Sequence, residues 1–362
     1  MAVPTTGYAS ATIQNPDSAL TDFTLIIDLA EIISDEADFG TAFNTDDQGR
    51  GRAYKSDGTT ELACDWIDLD NSNSTGLLRV KFSGSLASTG TQTIRIYPPN
   101  TGNSQYAADD TYGSDNAYDD SWESYLPTQS DFLDRTSNGN DGTGAGSISA
   151  GDSTGKFGNA TEFDGTDDDI LISSNTSLQI TGDLTLSAWV NLDITTAQLL
   201  FYKSWNGEFS LKIDGGRLKY TDSEMGDEWV SNASTISTST WSMLGIRRIS
   251  GVVYGFIDGS PQTSVTQAGA RSASTDDITI GSEESSYFFI NGLGQDFQIQ
   301  STGRSDDWIS EEYDQTNDNS TFWGTWGWTA GGTPTANAPT ADLQGPLWGP
   351  LAGPLMYVFI GD

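Results

Sequence analysis

The stretch "GKFGNATEFDGTDDDILI" (Gly155–Ile172), followed after a polar turn by "LTLSAWVNL" (Leu184–Leu192), decides the fold class. β-rich runs broken by Gly, Asp, Asn and Ser clusters, with almost no helical periodicity, mark short strands joined by tight turns. The same alternation continues in "QLLFYKS" (Gln198–Ser204), "FSLKID" (Phe209–Asp214), "RLKYTD" (Arg217–Asp222) and "STWSMLGIRR" (Ser239–Arg248). It runs on through "VVYGFIDG" (Val252–Gly259), "DITIGS" (Asp277–Ser282) and "GQDFQIQ" (Gly294–Gln300). Strands this short and regular predict an all-β antiparallel sandwich or jelly roll over residues 128–328. One helical turn is expected at "SDDWISEEYD" (Ser305–Asp314), with Ser305 as cap and Trp308, Ile309 and Glu312 on one face.

Upstream, "DFTLIIDL" (Asp22–Leu29), "LLRVKFSG" (Leu77–Gly84) and "TQTIRIYPP" (Thr91–Pro99) show the same β patterning. They predict a small N-terminal β-sandwich over residues 1–127, with the acidic "AADDTYGSDNAYDDSWESY" (Ala107–Tyr125) as its exit. A Gly/Pro/Ala/Thr linker then opens a third segment, 329–362, which ends in "GPLWGPLAGPLMYVFIGD" (Gly345–Asp362).

Composition narrows the function. The formal charge of −35 comes from 51 acidic against 16 basic residues, with no basic run, which argues against phosphate-backbone binding. Eleven Trp, 13 Tyr and 15 Phe can build cores despite a low aliphatic content. The absence of histidine excludes Ser-His-Asp and Cys-His catalysis. The single cysteine, Cys64, cannot pair within the chain and reads as a small buried residue. No apolar run is long enough to span a bilayer, so no membrane insertion is expected. "MAVPTTGYASATIQNP" has no basic n-region or apolar h-region, so synthesis in a cytoplasm without a secretory signal is expected.

The ordered series "DRTSNGNDGT" (Asp134–Thr143), Gly155–Ile172, Leu184–Leu192, "STWSMLGIRR", "VVYGFIDG", "DITIGS" and Phe288–Asp314 resembles the laminin-G-like, concanavalin A-like jelly-roll family. The resemblance covers about 200 residues. Residues Ala19–Leu29, Phe43–Asn71, Leu77–Gly84 and Thr91–Asn100 resemble a small β-domain of unknown function that precedes such jelly rolls in bacterial and phage surface proteins. In that domain a closing Tyr-Tyr-Gly-Asn is replaced here by Tyr97-Pro98-Pro99-Asn100.

Laminin-G-like jelly rolls share their architecture with lectins and some glycoside hydrolases, so the resemblance leaves catalysis to be decided by the residues. Retaining hydrolysis needs two carboxylates roughly 5–5.5 Å apart, and no Glu-x-Asp-x-x-Glu pattern is present. The nearest acidic cluster, "DSEMGDEW" (Asp222–Trp229), reads as a loop, so no enzyme activity is expected. Calcium is the chemical candidate: Asp134, Asn138, Asn140 and Asp141 offer oxygens from one Gly-containing loop. The resemblance adds Asp296 on the closing strand. An Asx-rich turn without metal is the alternative, and "DGTDDD" (Asp164–Asp169) is a second candidate that also reads as a solvated hairpin.

Sugar binding needs aromatic platforms beside polar groups. Trp189 and Trp241 alternate with polar residues and are expected in the core, whereas Trp205, Trp229 and Tyr287 lie beside turn residues and are the exposed candidates, with capping of the sandwich edges or contact with a neighbouring subunit as the alternative the sequence favours. "FWGTWGW" (Phe322–Trp328) is assigned to domain or subunit packing. In the terminal stretch a proline every four residues forbids a helix. Leu347, Trp348, Leu351, Leu355, Met356, Tyr357 and Phe359 are expected to form an apolar docking strap for assembly, the alternative being a terminal strap packed on its own domain. The expected protein is a non-enzymatic component of a virion surface (capsid decoration, spike or fibre of a tailed phage) with lectin-like glycan binding. Its partners would be further virion proteins, copies of itself and host glycans. The alternative is a bacterial cell-surface adhesion module.

Overall fold

A computed structural model describes residues 4, 6–14, 18–88, 92–204, 207–225, 228–232, 236–267, 269, 271–317 and 322–331. The chain enters through β1 (Gly7–Ile13) and β2 (Leu20–Asp28), turns through α1 (Leu29–Asp35) and α2 (Ala37–Ala42), and continues in β3 (Arg52–Lys55), β4 (Glu61–Leu62), β5 (Cys64–Asp70), β6 (Thr75–Leu86) and β7 (Gln92–Tyr97). It then runs through β8 (Trp122–Leu126), β9 (Gly142–Ala145), β10 (Ser153–Thr154), β11 (Asn159–Asp164), β12 (Asp169–Ile172), β13 (Leu184–Leu192) and β14 (Gln198–Tyr202). Next come β15 (Ser210–Asp214), β16 (Arg217–Thr221), β17 (Trp229–Val230), β18 (Trp241–Ile249), β19 (Val252–Ile257), β20 (Ser260–Thr266), β21 (Ile278–Ile280) and β22 (Asn291–Gln300). The described part closes with α3 (Asp306–Asn317) and β23 (Gly327–Ala330).

These strands form two sandwiches. In the first, the sheet β23-β1-β7-β3-β4 faces the three-stranded sheet β2-β6-β5. Period-two alternation places Ala9, Ala11 and Ile13 of β1 against Val80 and Phe82 of β6 in one apolar core. Cys64 is buried there, and burial pushes its thiol up to about 12, so it is a packing residue.

In the second sandwich, β17-β16-β15-β14-β21-β12-β9 covers one face of a larger sheet, β10-β11-β22-β13-β18-β19-β20, with β8 also paired to β22. Leu186, Ala188 and Val190 of β13 fill the space between these two sheets. The opposite face of β13 is also buried, because α3 and the first sandwich lie on it. Trp189 accordingly stacks on Tyr313 of α3, with ring centroids 5.6 Å apart and planes at 15°. Trp241 packs partly buried against the same cluster. A strand buried on both faces reads as a continuous apolar run, which is what "LTLSAWVNL" shows.

The two sandwiches are interlaced by pairing. β8 pairs with β22, so residues 122–126 extend the second sandwich, whereas β23 pairs with β1, so residues 327–330 extend the first. Phe322, Trp323 and Trp326 of "FWGTWGW" are buried in the core cluster that includes the first sandwich. Helix α3 begins where the cap chemistry predicts: Ser305 Oγ accepts from Trp308 N at 3.1 Å. Its Trp308, Ile309 and Glu312 are buried on one side. Among the described residues no helix is long and apolar enough to cross a membrane.

Candidate functional site

The predicted oxygen-rich loop folds as a hydrogen-bonded Asx turn. Asp134 Oδ1 accepts from Tyr125 N (2.9 Å) and Thr136 N (3.0 Å), while Oδ2 accepts from Thr136 Oγ1 and Asn140 N (both 2.8 Å). Asp141 Oδ1 accepts from Asp134 N at 2.9 Å. Asn138 and Asn140 turn their amides to the Trp122 and Glu123 carbonyls. Burial still pushes the Asp134 carboxyl above its ordinary value, against the pull of those hydrogen bonds.

Asp296 does not join this loop. Its carboxylate pairs with Arg79 (Nη2–Oδ1 2.6 Å) and accepts from Tyr125 Oη at 2.7 Å, so Asp134 and Asp296 hold opposite ends of Tyr125. A guanidinium supplies the positive charge that a cation would have supplied. The five residues therefore do not fit one calcium cage, and no calcium chemistry follows from them. The second acidic candidate does converge: carboxylate oxygens of Asp164, Asp167 and Asp168 lie within 4.8 Å of one another. Asp168 is nonetheless committed to the backbone amides of Ser147 and Asp164, and Asp164 to those of Thr166 and Asp167. This is hairpin chemistry.

The three aromatic candidates part company. Trp229 is buried at 6% exposure, opposite Tyr220 on the inner face of β16, and contributes to the core instead of the surface. Its ring lies over Gly255, where an added Cβ would come within 2.1 Å of it. Trp205 lies outside the described residues, as do Leu347, Trp348, Leu351, Leu355, Met356, Tyr357 and Phe359 of the terminal strap. Tyr287 is 67% exposed, and its neighbour Phe288 is 41% exposed, their ring centroids 6.5 Å apart.

That aromatic pair stands on the loop between β21 and β22, which also walls a cleft. On the face of the outer sheet turned away from the core, Leu171, Thr279 and Tyr202 stand directly opposite one another on β12, β21 and β14, with Thr279 and Tyr202 themselves buried. Ile170, Ile280 and Phe201, one residue away on each strand, face the core. The cleft over this row has a volume of about 430 Å³ and is rimmed by Asp276, Asp277 and Glu284. Tyr202 Oη donates to Glu284 Oε1 at 3.2 Å, tying the loop to the floor. Three non-glycine residues of the loop, Glu284, Ser285 and Phe288, adopt φ of 50°, 53° and 56°. Left-handed backbone at such residues costs on the order of 1 kcal/mol each and concentrates at functional loops.

Residues 164–310 match the concanavalin A-like lectin/glucanases superfamily. This segment is a concanavalin A-like jelly-roll domain. No curated protein matches the chain significantly. Among solved structures, this chain is similar to the binding domain of botulinum neurotoxin serotype D (17% identity, TM-score 0.44, 54% of this chain and 52% of that one). It is similar also to the binding domain of Paraclostridial Mosquitocidal Protein 1 (16%, 0.44, 54% and 52%). A third similar structure is domain 4 of AbnA, an extracellular arabinanase from Geobacillus stearothermophilus, in complex with arabinotriose (18%, 0.44, 53% and 97%). The chain spans about half the length of the two toxin binding domains.

Of the residues on this loop and cleft, the sequence singles out only Tyr287, which is exposed as expected; Phe288, Tyr202, Leu171 and Glu284 are brought beside it by the fold. "SSYFF" (Ser285–Phe289) carried a signal, since consecutive aromatics next to a turn cannot all face the core. Nothing local distinguishes Tyr202 from Phe201; only the register across β21 puts the two on opposite faces of the sheet.

Proposed function

We propose that the jelly-roll domain is a non-catalytic carbohydrate-binding module whose site is the cleft over Leu171, Thr279 and Tyr202, with Tyr287 and Phe288 as its stacking platform. The exposure of that aromatic pair, on the loop that walls the cleft, carries the reading. The C–H face of a sugar ring packs on an aromatic face, while its hydroxyls donate to carboxylates such as Asp276, Asp277 and Glu284. The cleft's size falls in the range of small-ligand sites. The superfamily's description names lectins and glucanases, which supports a saccharide as the ligand class. A glycan array probed with the whole protein and with Tyr287→Ala/Phe288→Ala tests this: retention of all binding by the double variant overturns the assignment.

The setting we propose is the outer surface of a virion, with residues 343–362 as attachment and the lectin-like face outward. The polyanionic composition and the regularly spaced Leu347, Leu351 and Leu355 support it. Particle fractionation followed by mass spectrometry tests it, together with deletion of residues 343–362. The reading requires copurification that the deletion abolishes.

A further inference from the structure

A second polar cavity, of about 490 Å³, lies away from the jelly-roll cleft, between α1 and the "FWGTWGW" segment. Gln14, Glu31, Ser34, Asp35, Trp323 and Trp326 wall it. The aromatic wall is held by backbone bonds. Gln14 N donates to Phe322 O at 2.7 Å, Gly324 N to Thr12 O at 2.8 Å, and Trp326 N to Asp35 Oδ2 at 3.0 Å. The two indoles lie 5.4 Å apart with planes at 34°, a preformed surface.

Among the described residues, two polar atoms on the side chains of this wall find no partner and are shielded from solvent: Trp323 Nε1, which can only donate, and Glu31 Oε2. Trp323 itself is 4% exposed. Orphaned buried groups are costly, and native structures retain them where a ligand or ordered water completes the set.

We propose that this cavity is a second binding site, distinct from the jelly-roll cleft, for a neutral polyhydroxylated ligand: a monosaccharide or small polyol. A hydroxyl can both accept from an indole N–H and donate to a carboxyl oxygen, so a polyhydroxylated ligand offers partners of the kind that Trp323 Nε1 and Glu31 Oε2 each need. A cation does not, because it leaves the indole N–H unpaired and needs Glu31 ionised. Burial, with Asp28 and Asp35 nearby, raises the Glu31 carboxyl to about 8, so near neutral pH it is the uncharged acid. The cation that lines the adjoining cavity beside Glu31, Lys156, donates instead to Asn317. Ser34, Gln14 and Asp35 add further hydrogen-bonding groups around the indoles.

The test uses the full chain carrying Tyr287→Ala/Phe288→Ala, so that the jelly-roll cleft does not contribute. Indole ¹⁵N–¹H resonances are followed while methyl α-glucoside, methyl β-galactoside, methyl α-mannoside or sorbitol is added near pH 6.5, and the Trp323 signal is assigned by its loss in Trp323→Phe. The expected result is a saturable shift of that signal with at least one of the four compounds. Glu31→Leu weakens the binding roughly tenfold, the equivalent of a lost hydrogen bond. Glu31→Gln, which keeps a neutral donor and acceptor, preserves it. If Trp323→Phe does not fold, the contrast between the two Glu31 variants carries the test. The proposal is overturned if none of the four compounds shifts the signal. It also falls if calcium or ammonium shifts it in their place, or if Glu31→Leu binds as tightly as its parent.

Discussion

Arg79 of the first sandwich and Asp296 of the second meet as a buried ion pair, Nη2 to Oδ1 at 2.6 Å, with Arg79 wholly inaccessible to solvent. Asp296 reaches it because the backbone of β22 takes φ of 59° there. At that point the strand changes neighbour, from β11 at Thr161–Asp164 to β8 at Trp122–Leu126, and its register against β13 shifts. The bulge re-aims one side chain out of the sheet. Glu312 of α3 completes the set, accepting from Arg79 Nη1 at 3.3 Å, from Gln298 Nε2 at 2.8 Å and from Trp308 Nε1 at 3.2 Å. One guanidinium thus neutralises two buried carboxylates from two elements.

Arg79→Met removes that charge and leaves Asp296 and Glu312 desolvated and facing each other. The expected loss of unfolding free energy is about 3–5 kcal/mol, read from urea denaturation. A loss below about 1 kcal/mol, the range of an exposed pair, contradicts the burial argument. Arg79→Met/Asp296→Leu/Glu312→Leu is expected to recover much of the loss, since an apolar set of similar volume needs no counter-charge.

Tyr287→Ala/Phe288→Ala touches exposed rings, so its effect on stability is expected within about 0.5 kcal/mol. Glycan affinity is expected to fall by a factor of ten or more, at roughly 1.4 kcal/mol per decade. Parallel thermal melts and isothermal titration calorimetry separate the two. An unstable double variant would mean that the loop is structural.

Trp229→Ala is expected to act in the opposite way. The ring fills the core beside Tyr220 and over Gly255, so its removal costs about 3–5 kcal/mol. Gly255→Val, which drives a side chain into the ring, is expected to be similarly damaging. Circular-dichroism melts of both variants check this, and a normal melt for Gly255→Val would show that the contact is loose.

Stability is expected to depend on pH through Glu31. Its folded carboxyl sits at about 8 against an ordinary 4.5, so the folded state holds a proton that the unfolded state has released. Stability is therefore greatest below about 4.5 with respect to this group, declines as pH rises toward 8, and levels off above. Denaturant midpoints across that window, compared between wild type and Glu31→Gln, read the effect as a flatter profile in the variant. Identical profiles would count against it.

Much of the fold was legible in the sequence because its signals are local. Period-two patterning in β13 and β18, turn chemistry between strands and the Ser305 cap of α3 each depend on a few neighbouring residues. Of the proposed site, only the exposure of Tyr287 was legible. Trp229 stands beside turn residues in the sequence, yet its two-residue strand completes the outer sheet and buries it. The oxygen-rich loop looked like a metal site because Asp and Asn serve cations and Asx turns equally well.

The sequence by itself determined the all-β class, the place of the helix cap, the burial of Cys64 and the acidic, histidine-free chemistry of the surface. Tertiary structure alone decided that Asp296 answers Arg79, 217 residues away in the chain. It also decided that Tyr202 rather than Phe201 floors the cleft, and that Glu31 and Trp323 line one cavity. Alternation along a strand says that two faces exist; which face is covered, and which charge meets which, depends on the partner strands and helices that long-range packing brings against it.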